Sequence, residues 1–422
     1  MPQLSVAIAR AALWMLVFAG LAPIVALENE ELLVASAAAE QRPCDFSQWH
    51  PRRYPAYHLS STRTSALTID GKLDELAWGD APWSEPFRDI RGPRYWSQPW
   101  FTTRVKMLYD DEFLYVAAYL EEDSVWANVT RRNDVVFHDN DFEVFVDPDG
   151  STHNYKEFEV NAINTTWNLW LNRPYRDGGH ENSTRIDPQF GFDMFGKGMK
   201  SAAFSVGPPN EPRERLHFWT TEIALPLKEL AFHTKATTPP APYSFWRINF
   251  SRVEWSVQIA AISSIGNEDD HGKWRYEKIP GTAEENWVWS AQYAVNMHRP
   301  EWWGYLQFRS ADEQLPRNGD ATVPLDPEWD VRYLSFQFYY AQHRYFDTHH
   351  EFASSLALLE PFYEANDAYE CTNLDGFEST NDSFVARIER KQSISAADFT
   401  ATISSDSHIT VKKPQSVSAA YS

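Results

Sequence analysis

DFEVFVDPDGSTHNYKEFEVNA, residues 141–162, is the stretch whose reading decides the fold. Side chains of a β-strand alternate faces with period two. Phe142, Val144 and Val146 therefore point one way, and Asp141, Glu143, Phe145 and Asp147 the other. In the second arm Phe158, Val160 and Ala162 alternate with Glu157, Glu159 and Asn161. Asp-Pro-Asp-Gly at 147–150 and the polar residues to Asn154 supply turn chemistry. A hairpin closing near Ser151 sets Glu143 opposite Glu159. Like charges in that position destabilise a sheet, so a hydrogen-bonding ligand, a cation or a nearby arginine is called for.

Working outward, strand-like runs recur at 101–110, 113–122, 155–172, 200–207, 218–227, 245–255 and 303–308. Short strands separated by turn signals predict a mainly β chain, an antiparallel β-sandwich of jelly-roll type over residues 64–310. PLKELAF, 226–232, predicts one short helix starting at a proline. Residues 27–63, mixed in composition, read as an N-terminal arm, and 311–325 as a linker. The segment 326–422 reads as a small α+β module. Its aromatics Trp329, Tyr333, Phe336 and Tyr340 recur at helical spacing behind an Asp–Pro start at 326–327. FASSLALL, FVARIER, DFTATISS and HITVKK follow it as short strands.

The chain has 422 residues and a net charge of −21, which argues against nucleic acid and anionic membranes as partners. Hydrophobic residues at 43% supply a core. Aromatics at 15% fit a β-rich interior, and some suit a platform for sugar rings. Residues 1–26 read as a signal peptide: Arg10 closes the n-region, an apolar run covers 11–27, and Ala26 marks the cleavage site. Nothing downstream reads as an integral membrane segment, and the expected location is extracellular. The only cysteines are Cys44 and Cys371. A bond between them would staple the arm to the C-terminal region; sequence leaves their pairing open. Glycosylation sequons begin at Asn128, Asn164, Asn182, Asn249 and Asn381. Asn164 and Asn249 fall inside predicted strands, which makes Asn128, Asn182 and Asn381 the expected acceptors.

TIDGKLDELAW (68–78), YDDEFLYVAA (109–118), residues 138–171, WRINFSRVEW (246–255), ENWVWS (285–290) and NMHRPEWWGYLQF (296–308) together resemble the family 9-like carbohydrate-binding modules of the DOMON-type sandwich superfamily. The resemblance covers roughly residues 64–309. It implies a jelly-roll sandwich that binds polysaccharide or oligosaccharide in carbohydrate catabolism, often beside a separate glycoside hydrolase. In that family two tryptophans sandwich a sugar; the matching positions fall near Phe137 and Met297, with Trp302 and Trp303 close by as substitutes. Glu143 matches an acidic position that accepts from sugar hydroxyls. Glu159 stands where the family carries a basic residue.

These readings converge on one polar-aromatic groove. Glu143, Glu157, Glu159, Asn161, Arg247 and Asn249 would bond sugar hydroxyls, Phe137, Met297 and Trp302 would stack on the ring, and Arg247 would relieve the Glu143–Glu159 repulsion. The plain alternative is a solvated sheet face or an internal ion-pair network. Asp139, Asp141, Asp147 and Asp149 are oxygen-rich enough for a structural Ca²⁺, although simple turn formation explains them too. A glycoside hydrolase built on Glu143 and Glu159 and a cell-surface scaffold binding protein through its C-terminal module are the competing functions. No nucleophile elbow, phosphate loop or dinucleotide fingerprint is present.

Overall fold

The computed structural model describes residues 44–62, 66–212, 217–261, 274–313, 315, 322–391 and 399–413. The signal peptide, its cleavage at Ala26, the arm up to residue 43 and residues 314 and 316–321 of the linker lie outside the described residues.

The strands of the first part are β1 (Arg53–His58), β2 (Arg88–Asp89), β3 (Thr103–Tyr109), β4 (Phe113–Glu121) and β5 (Asp141–Asp147). They continue with β6 (Tyr155–Asn161), β7 (Thr166–Leu171), β8 (Glu181–Asn182), β9 (Lys200–Ser205) and β10 (Phe218–Pro226). β11 (Phe245–Glu254), β12 (Val257–Ala261), β13 (Trp274–Lys278), β14 (Glu285–Val288) and β15 (Gly304–Phe308) complete the set. One sheet runs β8-β7-β6-β5-β11-β15-β1-β3-β4-β10-β9, with β14 and β2 attached beside β11. It curls over so that both ends face one core.

The fold is mainly β, and the sheet is mixed where an antiparallel one was expected. β1 is parallel to both neighbours: Arg53–Ala56 pair with β15 and Tyr57–His58 with β3. One strand thus passes from one layer to the other. Its sequence, RYPAYH, carries a proline, which reads as a strand breaker; the arm reading therefore missed it. The interior holds Val105 and Met107 from β3, Val116 and Leu120 from β4, Phe142, Val144 and Val146 from β5, and Ile248 and Phe250 from β11. These are the inward positions that alternation selects.

The run 155–172 is two strands rather than one. Between β6 and β7 the chain turns at Asn164, which has φ 59° and is exposed. The Asn164 sequon therefore sits on a turn, contrary to its strand assignment, whereas Asn249 is buried. Asn128 and Asn381 are exposed and Asn182 is half-buried.

The long helix Trp329–His349 matches the aromatic spacing. Asp326 stands before it, and its carboxylate accepts from the Glu328 N–H at 3.0 Å. Trp329 and Tyr333 pack on Trp302 and Tyr305 of the sandwich, while Phe338 meets Phe384. Beyond it β16 (Thr372–Ser379), β17 (Phe384–Arg390), β18 (Thr400–Ser404) and β19 (Ile409–Lys412) form an antiparallel sheet in that order. FASSLALL is no strand: Leu356–Phe362 is a 3-10 helix containing Pro361. Cys44 and Cys371 form a disulfide with Cα atoms 5.6 Å apart.

Candidate functional site

The hairpin register is the one alternation and turn position dictate: Glu143 pairs with Glu159, Phe145 with Glu157 and Asp141 with Asn161. β11 lies on the other side of β5, with Ser251 opposite Glu143 and Arg247 opposite Asp147. Their outer face is not a solvated one. An apolar cluster of Phe145, Tyr155, Trp167, Leu169, Met297 and Trp303 covers much of it. Beside that cluster lies a pocket of about 260 Å³.

Phe137, Glu143, Phe145, Glu157, Glu159 and Met297 line the pocket, with Val253, Glu284, Asn286, Val295, Asn296 and His298 completing it. Five of the residues singled out from sequence thus meet in one cavity: Phe137, Glu143, Glu157, Glu159 and Met297. Phe137 is 37% exposed at the rim, whereas Glu159 is 1% exposed at the floor. The floor position of Glu159 is fixed in part by the Phe137 N–H, which donates to Oε2 at 3.2 Å. The Phe137 carbonyl in turn accepts from Trp255 Nε1 at 3.0 Å.

Four buried acids gather here: Glu143, Glu157 and Glu159 line the pocket, and Asp141 stands beside Glu143 and Glu159. Burial raises the Glu143 carboxyl to about 7. Burial and then the Glu143 charge hold Asp141, Glu157 and Glu159 well above the ordinary carboxylate range. Both effects favour the neutral acid in the unliganded protein. Among the described residues no lysine or arginine forms an ion pair with any of the four. His298 adds no charge: burial, then Arg176, lowers its pKa to about 4. Its Nδ1 lies 3.0 Å from Tyr155 Oη.

Arg247 does not relieve the acids. Counted along β11 it lies four residues from Ser251, about 14 Å at ~3.4 Å per residue. Its guanidinium is turned under the next loop, donating to the carbonyls of Glu301 and Trp303 and to Tyr305 Oη. Asn249 is likewise occupied: its amide exchanges two 2.9 Å hydrogen bonds with the Ser290 backbone. Asn161 donates to Val129 O and Asp139 and accepts from Thr165 N, fixing the β6–β7 turn. Trp302 points away from the pocket onto Tyr293, Trp329 and Tyr333. Trp303 is fully buried, its Nε1 donating to Met297 O. Neither tryptophan replaces a clamp residue.

The four aspartates do not gather around a common point. Asp139 accepts from the N–H groups of Asn128 and Val129 and from Asn161 Nδ2. Asp149 accepts from Ser151 and Lys235 N–H groups, and Asp147 from Thr152 N. The carboxylates that do converge are Asp141, Glu143 and Glu159, whose nearest oxygens all lie within 4.8 Å of one another.

Sequence reasoning missed Val253 of β11, Asn286 of β14, and Glu284, Val295, Asn296 and His298, which reach the pocket from the segments before and after β14. The ENWVWS and NMHRPEWW motifs flagged those segments without indicating which side chains turn inward.

Residues 69–187, which carry β2 to β8, match the family described as carbohydrate family 9 binding domain-like. The resemblance read from the sequence therefore holds for the part of the chain that contains the acidic hairpin. No curated protein matches the chain. Among solved structures, a family 9 carbohydrate-binding module from Caldicellulosiruptor kristjanssonii in complex with cellotriose is 14% identical. It aligns with 65% of this chain and 100% of its own, at a TM-score of 0.36. A putative carbohydrate-binding protein from Bacteroides uniformis is 15% identical, with 61% and 100% covered and a TM-score of 0.40. The Caldicellulosiruptor module in complex with glucose is 13% identical, with 63% and 100% covered and a TM-score of 0.37.

Proposed function

We propose that this protein binds carbohydrate without catalysis, through the pocket between Phe137, Met297 and the buried acids. The observation that carries this reading is the convergence of both clamp positions and of Glu143 on one cavity, inside or beside the segment that matches the family. A pocket of about 260 Å³ lies near the small end of ligand sites, roughly 300–1,000 Å³. It suits one terminal or branching sugar ring better than a long chain. The Phe137 ring offers an apolar face, and the acid oxygens offer acceptors for hydroxyls.

Hydrolysis fits the acids less well. Glycosidase carboxyls flank the scissile bond at about 5–5.5 Å or 6.5–9.5 Å. Here Asp141, Glu143 and Glu159 crowd within 4.8 Å on adjacent strands, on one side of any ligand. We further propose that the protein works outside the cytoplasm, in polysaccharide breakdown beside a separate hydrolase; the Cys44–Cys371 bond supports an oxidising compartment.

A glycan array followed by calorimetric titration of the best ligand tests the binding reading. Phe137→Ala and Glu143→Gln are each expected to weaken binding at least tenfold, about 1.4 kcal/mol. Wild-type affinity in both variants would overturn it.

A further inference from the structure

We propose that the pocket floor is a divalent-cation site of calcium type, with Asp141, Glu143 and Glu159 as carboxylate ligands, and that the bound ion offers its open positions to sugar hydroxyls. The second half rests on the carbohydrate-binding reading; the first does not.

The donor geometry has the right scale. Calcium takes 6–8 oxygens at about 2.3–2.6 Å, so ligands across one ion stand up to about 4.6–5.2 Å apart. One oxygen from each of Asp141, Glu143 and Glu159 meets that limit, all within 4.8 Å. The set contains only oxygen, which selects a hard cation over zinc or copper.

A second observation points at a missing ligand. Asp141 Oδ2 and Glu159 Oε1 are buried and accept no hydrogen bond. The Ser251 hydroxyl, fully buried, has no partner within hydrogen-bond distance, and the β5–β11 register sets Ser251 directly opposite Glu143. A buried polar atom without a partner is costly, and several gather around the Asp141, Glu143 and Glu159 cluster. Glu157 Oε2, a further unpartnered buried oxygen, lines the same cavity.

The cavity supplies the remaining coordination. Three carboxylates and one hydroxyl leave part of a calcium shell free on the pocket side, where water or two neighbouring sugar hydroxyls fit. The ion would also do what Arg247 does not. It offsets the charge of the Glu143–Glu159 pair.

The test uses the full chain, stripped with a chelator and dialysed. Calcium is titrated calorimetrically, and terbium by luminescence sensitised through nearby aromatics. Saturable binding of one ion is expected, weakened at least tenfold by Asp141→Asn and by Glu159→Gln. Both variants should melt in chelator at or above the wild-type temperature, which shows that they fold. No calcium heat and no terbium signal at millimolar ion, or unchanged affinity in both variants, overturns the ion site. Glycan titration is then run with calcium and with chelator. Loss of glycan binding in chelator supports the bridging role, and equal binding in both buffers overturns it. Calcium binding without glycan binding in either buffer supports the ion site and overturns the carbohydrate reading.

Discussion

Changing Glu301 to glutamine removes the charge on which the junction between the sandwich and the long helix depends. Glu301 is 3% exposed. It accepts two hydrogen bonds from Arg176, at 2.8 and 3.0 Å, and one from Arg299 Nε at 3.3 Å, and Tyr340 of the helix donates to it as well. Burial alone would raise its pKa, but the two guanidiniums outweigh burial and hold it at about 2 against an ordinary 4.5. Folded, the group therefore binds fewer protons than unfolded between those values. The stability it contributes is complete above pH 4.5 and is lost as pH falls toward 2. A lowering of that size corresponds to about 3 kcal/mol, in the range of about 3–5 kcal/mol for removing one partner of a buried ion pair. Urea unfolding of wild type and Glu301→Gln, followed by tryptophan fluorescence from pH 7 to pH 2, reads this directly. The variant should be less stable by about 3 kcal/mol at pH 7, and the gap should close toward pH 2. A gap under about 0.5 kcal/mol at pH 7, or one that widens in acid, would refute the reasoning.

Three other outcomes follow from particular contacts. Removing the disulfide with Cys44→Ala and Cys371→Ala opens a loop of 327 residues and should lower stability by about 3–5 kcal/mol; equal denaturant midpoints for oxidised and reduced wild type would contradict it. Arg247→Met should leave glycan affinity unchanged while costing about 2–4 kcal/mol in a denaturant titration, because the Glu301 and Trp303 carbonyls lose their donors; a selective loss of binding would return Arg247 to the site. Gly304→Ala should destabilise by about 3 kcal/mol in thermal melts, since its Cβ would sit 2.2 Å from the Trp289 ring and 2.9 Å from Arg52 O; a wild-type melting temperature would count against the close packing of β15.

The acidic hairpin was legible because everything that sets it is local. Period-two alternation chose the faces, and the Asp-Pro-Asp-Gly turn set the register that places Glu143 against Glu159. Arg247 was misplaced because the β5–β11 register depends on a partner a hundred residues away, and alternation fixes a face without fixing a position along the strand. Asn249 shares that face and still serves only the Ser290 backbone. Adjacent Trp302 and Trp303 looked interchangeable, yet one meets the long helix and the other the sheet. β1 was hidden by Pro55 and by parallel pairing with strands far apart in sequence. The aspartates of the turn looked like ion ligands, but backbone N–H groups claim most of them. The convergent acids stand instead on the strand faces: alternation puts Asp141 on the face of Glu143, and the hairpin register brings Glu159 to them.

A crystal structure of the protein with the best array ligand, grown in calcium, addresses the pocket itself. The account predicts one sugar ring resting against Phe137 with hydroxyls directed at the Glu143 and Glu159 floor. A saccharide bound on any other surface, with this cavity holding only solvent, would contradict it.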